Sequence, residues 1–171
     1  MGVPAIFDGY FTAAAAAAGV LIGLLFVAVS LRPESVFGAD APGAGRAQAG
    51  SAFTGLVNCF FVSLVALIPQ AGIGVAAVVV SLTSMLATVR LHREVARQEL
   101  QLAMLVLSMA TYLYQFAIGL YIIVTSGTGQ ISNVAYLQIA LFAVALRRAW
   151  SLAQGKHLKT GASQDLDSER A

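Results

Sequence analysis

Residues 51–89 carry no charged side chain. As one α-helix this stretch would be about 58 Å long at 1.5 Å per residue, roughly twice the hydrocarbon core of a bilayer. Pro69, Gln70, Ala71 and Gly72 lie near its middle, and proline with glycine punctuates a helix strongly. The stretch therefore reads as two membrane spans, 51–68 and 73–89, joined by a tight turn. A re-entrant pair is the alternative.

Other apolar blocks flank it. Residues 10–31 are uncharged and include six consecutive alanines, Ala13 to Ala18. The short N-terminal stretch before them has Asp8 and no base, unlike a signal peptide with its basic n-region. The block is thus expected to remain as a helix. Residues 100–124 and 131–148 supply two more spans, the last ending at Arg147 and Arg148. Only 11% of the chain is charged and 58% is hydrophobic, against about 25% charged in soluble domains. Few polar side chains are left to face water. The expected fold is an all-α membrane protein, a five-transmembrane-helix bundle forming one domain over 1–155. A polar loop is expected at 32–50, a charged linker at 90–99, and a disordered cytoplasmic tail at 156–171.

Five spans put every Lys and Arg on one side of the membrane. That side collects Arg32, Arg46, Arg90, Arg93, Arg97, Arg147, Arg148, Lys156, Lys159 and Arg170. The other side receives Asp8 and two short turns. Cytoplasmic loops are enriched in Lys and Arg, so the N-terminus is expected outside and the C-terminus in the cytoplasm. The setting is a bacterial inner (plasma) membrane, crossed several times. Tyr10 and Trp150 stand at span ends, where aromatic rings favour headgroup depth. Arg90, Arg93 and Arg97 share one face if helical. With Arg147 and Arg148 they form a basic flank that attracts anionic lipid or acts as a plain stop-transfer signal.

No catalytic or ligating pattern emerges. The two histidines, His92 and His157, are isolated, and the single Cys59 sits in an apolar block where a small buried hydrophobe is expected. No HExxH pair, CxxC cluster, P-loop or G-x-S-x-G is present. The chain is expected not to be an enzyme, to hold no metal or cofactor, and not to bind nucleic acid. No span is expected to hold Asp, Glu, Lys, Arg or His before the closing Arg147 and Arg148 of the fifth, which disfavours a proton relay or ion-coupled carrier.

Uncharged polar residues instead form strips. Ser108, Thr111, Tyr112 and Gln115 fall at i, i+3, i+4 and i+7, which is one helical face. Ser51, Thr54 and Asn58 share a face of the second span, and Ser81, Ser84 and Thr88 one of the third. The fifth offers Asn133, Tyr136 and Gln138. Polar groups at membrane depth need partners. Each strip therefore either lines a hydrated path or ties two helices together. Asn58 and Gln115 carry most of the argument, because amides are costly to bury alone. Ala15, Gly19 and Gly23, four apart, let helices approach closely, within one subunit or between two.

The first span, from Gly19 through Val-Leu-Ile-Gly-Leu-Leu-Phe-Val-Ala-Val-Ser to Leu31, resembles the opening helix of a group of uncharacterised bacterial multi-pass integral membrane proteins. The resemblance covers one span and implies a multi-pass membrane fold. It carries over no activity and no functional residue.

The leading expectation is a homo-oligomeric channel or pore-like protein for ions or small solutes. Uncharged polar groups would line it, and inner-mouth arginines would favour anions. The alternative is a non-catalytic adaptor or regulatory subunit that binds another membrane protein through Ala15, Gly19, Gly23 and the polar face of the fourth span.

Overall fold

The structure, a computed structural model, describes residues 3–31, 43–69, 71–93, 99–125 and 129–153. A short 3-10 turn, Ala5–Phe7, leads into α1 (Asp8–Leu31). Four further helices follow: α2 (Gly43–Ala66), α3 (Ile73–Arg93), α4 (Glu99–Thr125) and α5 (Ile131–Ala153). Among the described residues there is no strand.

Four helical stretches are long and apolar enough to cross a membrane: Ala5–Leu31, Arg46–Ala66, Ile73–Leu91 and Leu105–Thr125. The fifth helix is of similar length, but Asn133, Gln138, Arg147 and Arg148 interrupt its apolar run. The outward faces suit a lipid solvent. Phe26 on α1, Phe61 on α2, Leu86 on α3 and Leu113 on α4 are all exposed.

The turn between α2 and α3 falls where proline and glycine predict it. The Leu67 and Ile68 amides bond back to Leu64 and Val65, and the Ala71 amide bonds to the Ile68 carbonyl at 3.1 Å. Two boundaries differ from expectation. Residues 43–50, read as loop, form the first two turns of α2. Glycine disfavours a helix by about 1 kcal/mol, but here packing prevails: Ala47 and Ala49 are buried and Gly50 lies against Leu91. The start of the charged linker likewise continues α3 to Arg93. The rest of the predicted loop at 32–42, the linker with Arg97, and the tail at 156–171 lie outside the described residues.

Helix α2 is the hub of the bundle. It packs on α1, α3 and α5, while α4 lies along α3 and also meets α5. Cross-contacts fix the directions. On α2 and α3, Gly50 faces Leu91 and Asn58 bonds Ser84. Later residues of one helix therefore meet earlier residues of the other, and the pair is antiparallel. The same logic makes α2 and α5 antiparallel, with Gln48 bonded to the Arg148 carbonyl and Ser63 to Gln138. Helices α1 and α5 run parallel, since the Tyr10 hydroxyl donates to the Ala135 carbonyl at 2.8 Å and Leu25 packs near Ala145.

Three apolar layers stack along the bundle. Phe11, Val62, Ile118 and Val134 fill one end. Ala18, Cys59, Tyr112 and Leu141 fill the middle. Leu25, Ala52, Leu56 and Ala145 fill the other end. The backbones of α3 and α4 approach closely. A Cβ on Gly74 would stand 2.8 Å from the Gly119 carbonyl oxygen, and one on Gly119 equally close to that of Gly74.

Candidate functional site

Polar side chains converge on the inside of the bundle. Asn58, Ser108, Tyr112 and Gln115 are all buried. Thr111, at the edge of their face, is half-buried and donates to the Leu107 carbonyl of its own helix at 2.7 Å. The interior bonds cross between helices. The Asn58 amide donates to Ser84 Oγ at 3.1 Å, joining α2 to α3. Ser63 Oγ donates to Gln138 Oε1 at 3.4 Å, joining α2 to α5. The Gln115 amide reaches the Ala77 carbonyl at 3.5 Å, joining α4 to α3.

These bonds leave one side of each amide over. Asn58 Oδ1, Gln115 Oε1 and Gln138 Nε2 are buried without a hydrogen-bond partner, as is Ser51 Oγ. Burying a polar group without a partner costs on the order of 1–3 kcal/mol, so these atoms on Ser51, Asn58, Gln115 and Gln138 call for water or a ligand.

Ser51 lines a cavity of about 110 Å³ enclosed by α2, α4 and α5. Its polar lining is Ser51, Ser108, Thr111, Tyr112 and Arg148, set among Leu107, Leu141, Val144 and Ala145. Arg148 is the one ionisable group on this wall that is charged at neutral pH, and it is only 7% exposed. Its Nη2 donates to Ser108 Oγ at 2.8 Å. The cavity comes to the surface between α4 and α5, where Leu107 and Ala140 are exposed.

Arg148 departs from the sequence reading. It was expected on the basic flank beside Arg147. Arg147 is exposed, but Arg148 is turned into the bundle. Successive helical residues differ by about 100° around the axis, and α5 is rotated so that Arg148 falls on the face turned to α2 and α4 while Arg147 falls outside it. Of the other basic-flank residues, Arg90 is exposed near the end of α3 and Arg93 closes that helix.

The small-residue strip divides. Ala15 is buried, and a Cβ on Gly19 would meet the Phe60 ring of α2 at 3.6 Å. This half of the strip serves packing within the chain. Gly23 has nothing within 4 Å of an added Cβ. A larger groove of about 270 Å³ runs beside α1, lined by Leu21, Leu24, Leu25, Leu146 and Trp150. Its walls are mostly apolar.

Sequence reasoning found the face of α4 and the two amides, and it did not find two members of the interior set. Ser63, the partner of Gln138, lies off the Ser51/Thr54/Asn58 strip. Arg148 carried a flank signature identical to that of Arg147. Among the described residues no three His, Cys, Asp or Glu side chains gather. No family model, no curated protein and no solved structure matches this chain.

Proposed function

We propose that this is a channel or pore-like membrane protein for ions or small solutes, with anions preferred. The observation that supports this reading is the presence of buried polar atoms without partners on Ser51, Asn58, Gln115 and Gln138. They belong to the three helices α2, α4 and α5, and one of them opens onto the arginine-bearing cavity. In an apolar medium such atoms are best satisfied by water. A thread of water beside a buried guanidinium is a path on which an anion is better tolerated than a cation.

In this reading α5 is the fifth span. Its 23 residues reach about 35 Å at 1.5 Å per residue, and it runs antiparallel to its neighbours α2 and α4. The N-terminus is outside and the arginine-rich ends are cytoplasmic, in a bacterial inner membrane. The polar residues point into each subunit. A homo-oligomer would therefore repeat the path in every copy instead of enclosing one on a shared axis. The protein is proposed to be non-catalytic.

The test is solute flux through the purified protein in liposomes, with panels of anions and cations. Asn58→Leu and Gln115→Leu each remove a hydrogen-bonding station. Each is expected to lower flux about fivefold, the rate equivalent of one ~1 kcal/mol hydrogen bond. Absence of flux from well-folded wild-type protein at both polarities would end the pore reading.

A second reading, a membrane adaptor or regulatory subunit, draws on one observation. Much of α1 beyond Gly19 is apolar and exposed, including Val20, Leu24, Phe26 and Val27. Another membrane helix could lie there. A silent protein that co-purifies with a membrane partner, and loses it when Gly23 is changed to Leu, would fit this reading.

A further inference from the structure

We propose that the groove between α1 and α5 holds an acyl chain of an anionic phospholipid, with the acidic headgroup attracted by Arg147. The inference does not depend on the pore. It rests on the reading above only for α5 as a span whose C-terminal end lies at the cytoplasmic surface.

The shape of the groove follows from the hub helix. Helices α1 and α5 both pack on α2 and run parallel to each other. The space left between them is floored by the buried Leu25 and Leu56, and its rims are the exposed Leu24, Leu146 and Trp150. From Leu21 to Ala28 it follows α1 for about 10 Å at 1.5 Å per residue. A trough that follows a membrane span lies along the direction of the surrounding acyl chains. Its volume is about 270 Å³, against roughly 150 Å³ for an apolar cavity that stays dry and takes up benzene. Leucine walls offer water no hydrogen bond, and they offer a hydrocarbon chain close dispersion contacts along its length.

One end of the groove names the class of lipid. Trp150 closes it near the end of α5, and indole rings favour headgroup depth. Arg147 is exposed and precedes Trp150 by three positions, so the two are neighbours on the helix surface, with about 5–6 Å between Cβ atoms. A basic residue at that depth attracts an acidic headgroup, and the planar guanidinium matches the geometry of a phosphodiester. The other end, at Leu21, is apolar. A phospholipid therefore enters in one direction, with its tail toward Leu21 and its phosphate beside Trp150. A lipid with net negative charge gains from Arg147, and a zwitterionic lipid of the same chain length brings a second cation to it.

Trp150 is the only tryptophan in the chain, so its fluorescence reports on this groove. The experiment reconstitutes the purified full chain in phosphatidylcholine vesicles and adds rising fractions of phosphatidylglycerol or phosphatidylcholine with brominated acyl chains, which quench indole on contact. Lipid that merely surrounds the protein gives one background for both headgroups. Above that background, phosphatidylglycerol should quench saturably and about fivefold more effectively, the effect of one basic residue on an acidic lipid. Arg147→Gln, at an exposed position, should abolish the preference and leave the background. Ala28→Phe, also at an exposed position, places a ring in the groove and should lower the saturable quenching, with helix content followed by circular dichroism. If Ala28→Phe does not fold, Arg147→Gln decides alone. Equal quenching by the two headgroups in the wild type overturns the proposal. So does a preference that survives Arg147→Gln, or saturable quenching unchanged in Ala28→Phe. Quenching by neither lipid, together with a dimer that Ala28→Phe separates, would give the groove to a second copy instead. Lipid is present in both leaflets of the vesicles, so an inverted orientation leaves this result unaffected, and flux measured on the same vesicles judges the pore separately.

Discussion

At the scale of the residue, the interior is held by weak, specific ties. The Asn58–Ser84 bond is buried and crosses between helices, yet such bonds in membrane proteins average only about 0.6 kcal/mol in double-mutant cycles. A cycle of Asn58→Ala and Ser84→Ala, followed by detergent unfolding, should return a coupling of about that size. A coupling of zero would mean that the two side chains do not meet. The importance of Asn58 and Gln115 was legible from the sequence because an amide in an apolar run has few acceptable surroundings. The fate of Arg148 was not. Arg147 and Arg148 are chemically identical neighbours, and the choice between them is made by the rotation of α5 about its own axis. That rotation depends on what α5 packs against, which a single helical pattern does not contain.

At the scale of the element, the contact between α3 and α4 is a tight joint. Gly74 and Gly119 bring two backbones to a separation that leaves no room for a side chain. Gly119→Val should force the helices apart and destabilise the protein by about 1–3 kcal/mol, the usual range for overpacking. Gly23→Ala is the matched control. Nothing lies within 4 Å of the added Cβ, so it should be neutral or stabilise by up to about 1 kcal/mol through helix propensity. Thermal unfolding followed by circular dichroism measures both, and equal behaviour of the two variants would contradict the joint. The helices themselves were largely readable, as was the turn at Pro69. The start of α2 was missed because three glycines in residues 43–50 argue locally for a loop. Their helical state is decided by burial of Ala47 and Ala49 and by Leu91 on another helix.

At the scale of the whole molecule, antiparallel neighbours give a prediction about sidedness. The turn between α2 and α3 and the exposed Arg90 lie at opposite ends of α3. With Cys59 replaced by alanine, Ala71→Cys should react with a membrane-impermeant thiol reagent added outside intact cells. Arg90→Cys should react only after the membrane is opened. The reverse pattern would invert the orientation, and labelling of both from one side would mean that α3 does not cross. Four long apolar helices could be read from the sequence, but the placement of α2 at the hub could not. All of its neighbours are apolar, and only the pairing of particular residues, such as Ser63 with Gln138, selects among the possible arrangements.

The hub position of α2 also has a consequence for how the protein is made. Two of its polar side chains, Ser51 beside the cavity and Ser63 at Gln138, meet α5, which follows α2, α3 and α4 in the chain. Until α5 arrives, α2 must wait in the membrane or its insertion machinery with those groups uncovered. Membrane insertion and completion of the bundle are therefore separate events. A chain stalled before α5 would display exposed hydroxyls at membrane depth, a chemical mark by which cellular quality control could tell an unfinished protein from a finished one.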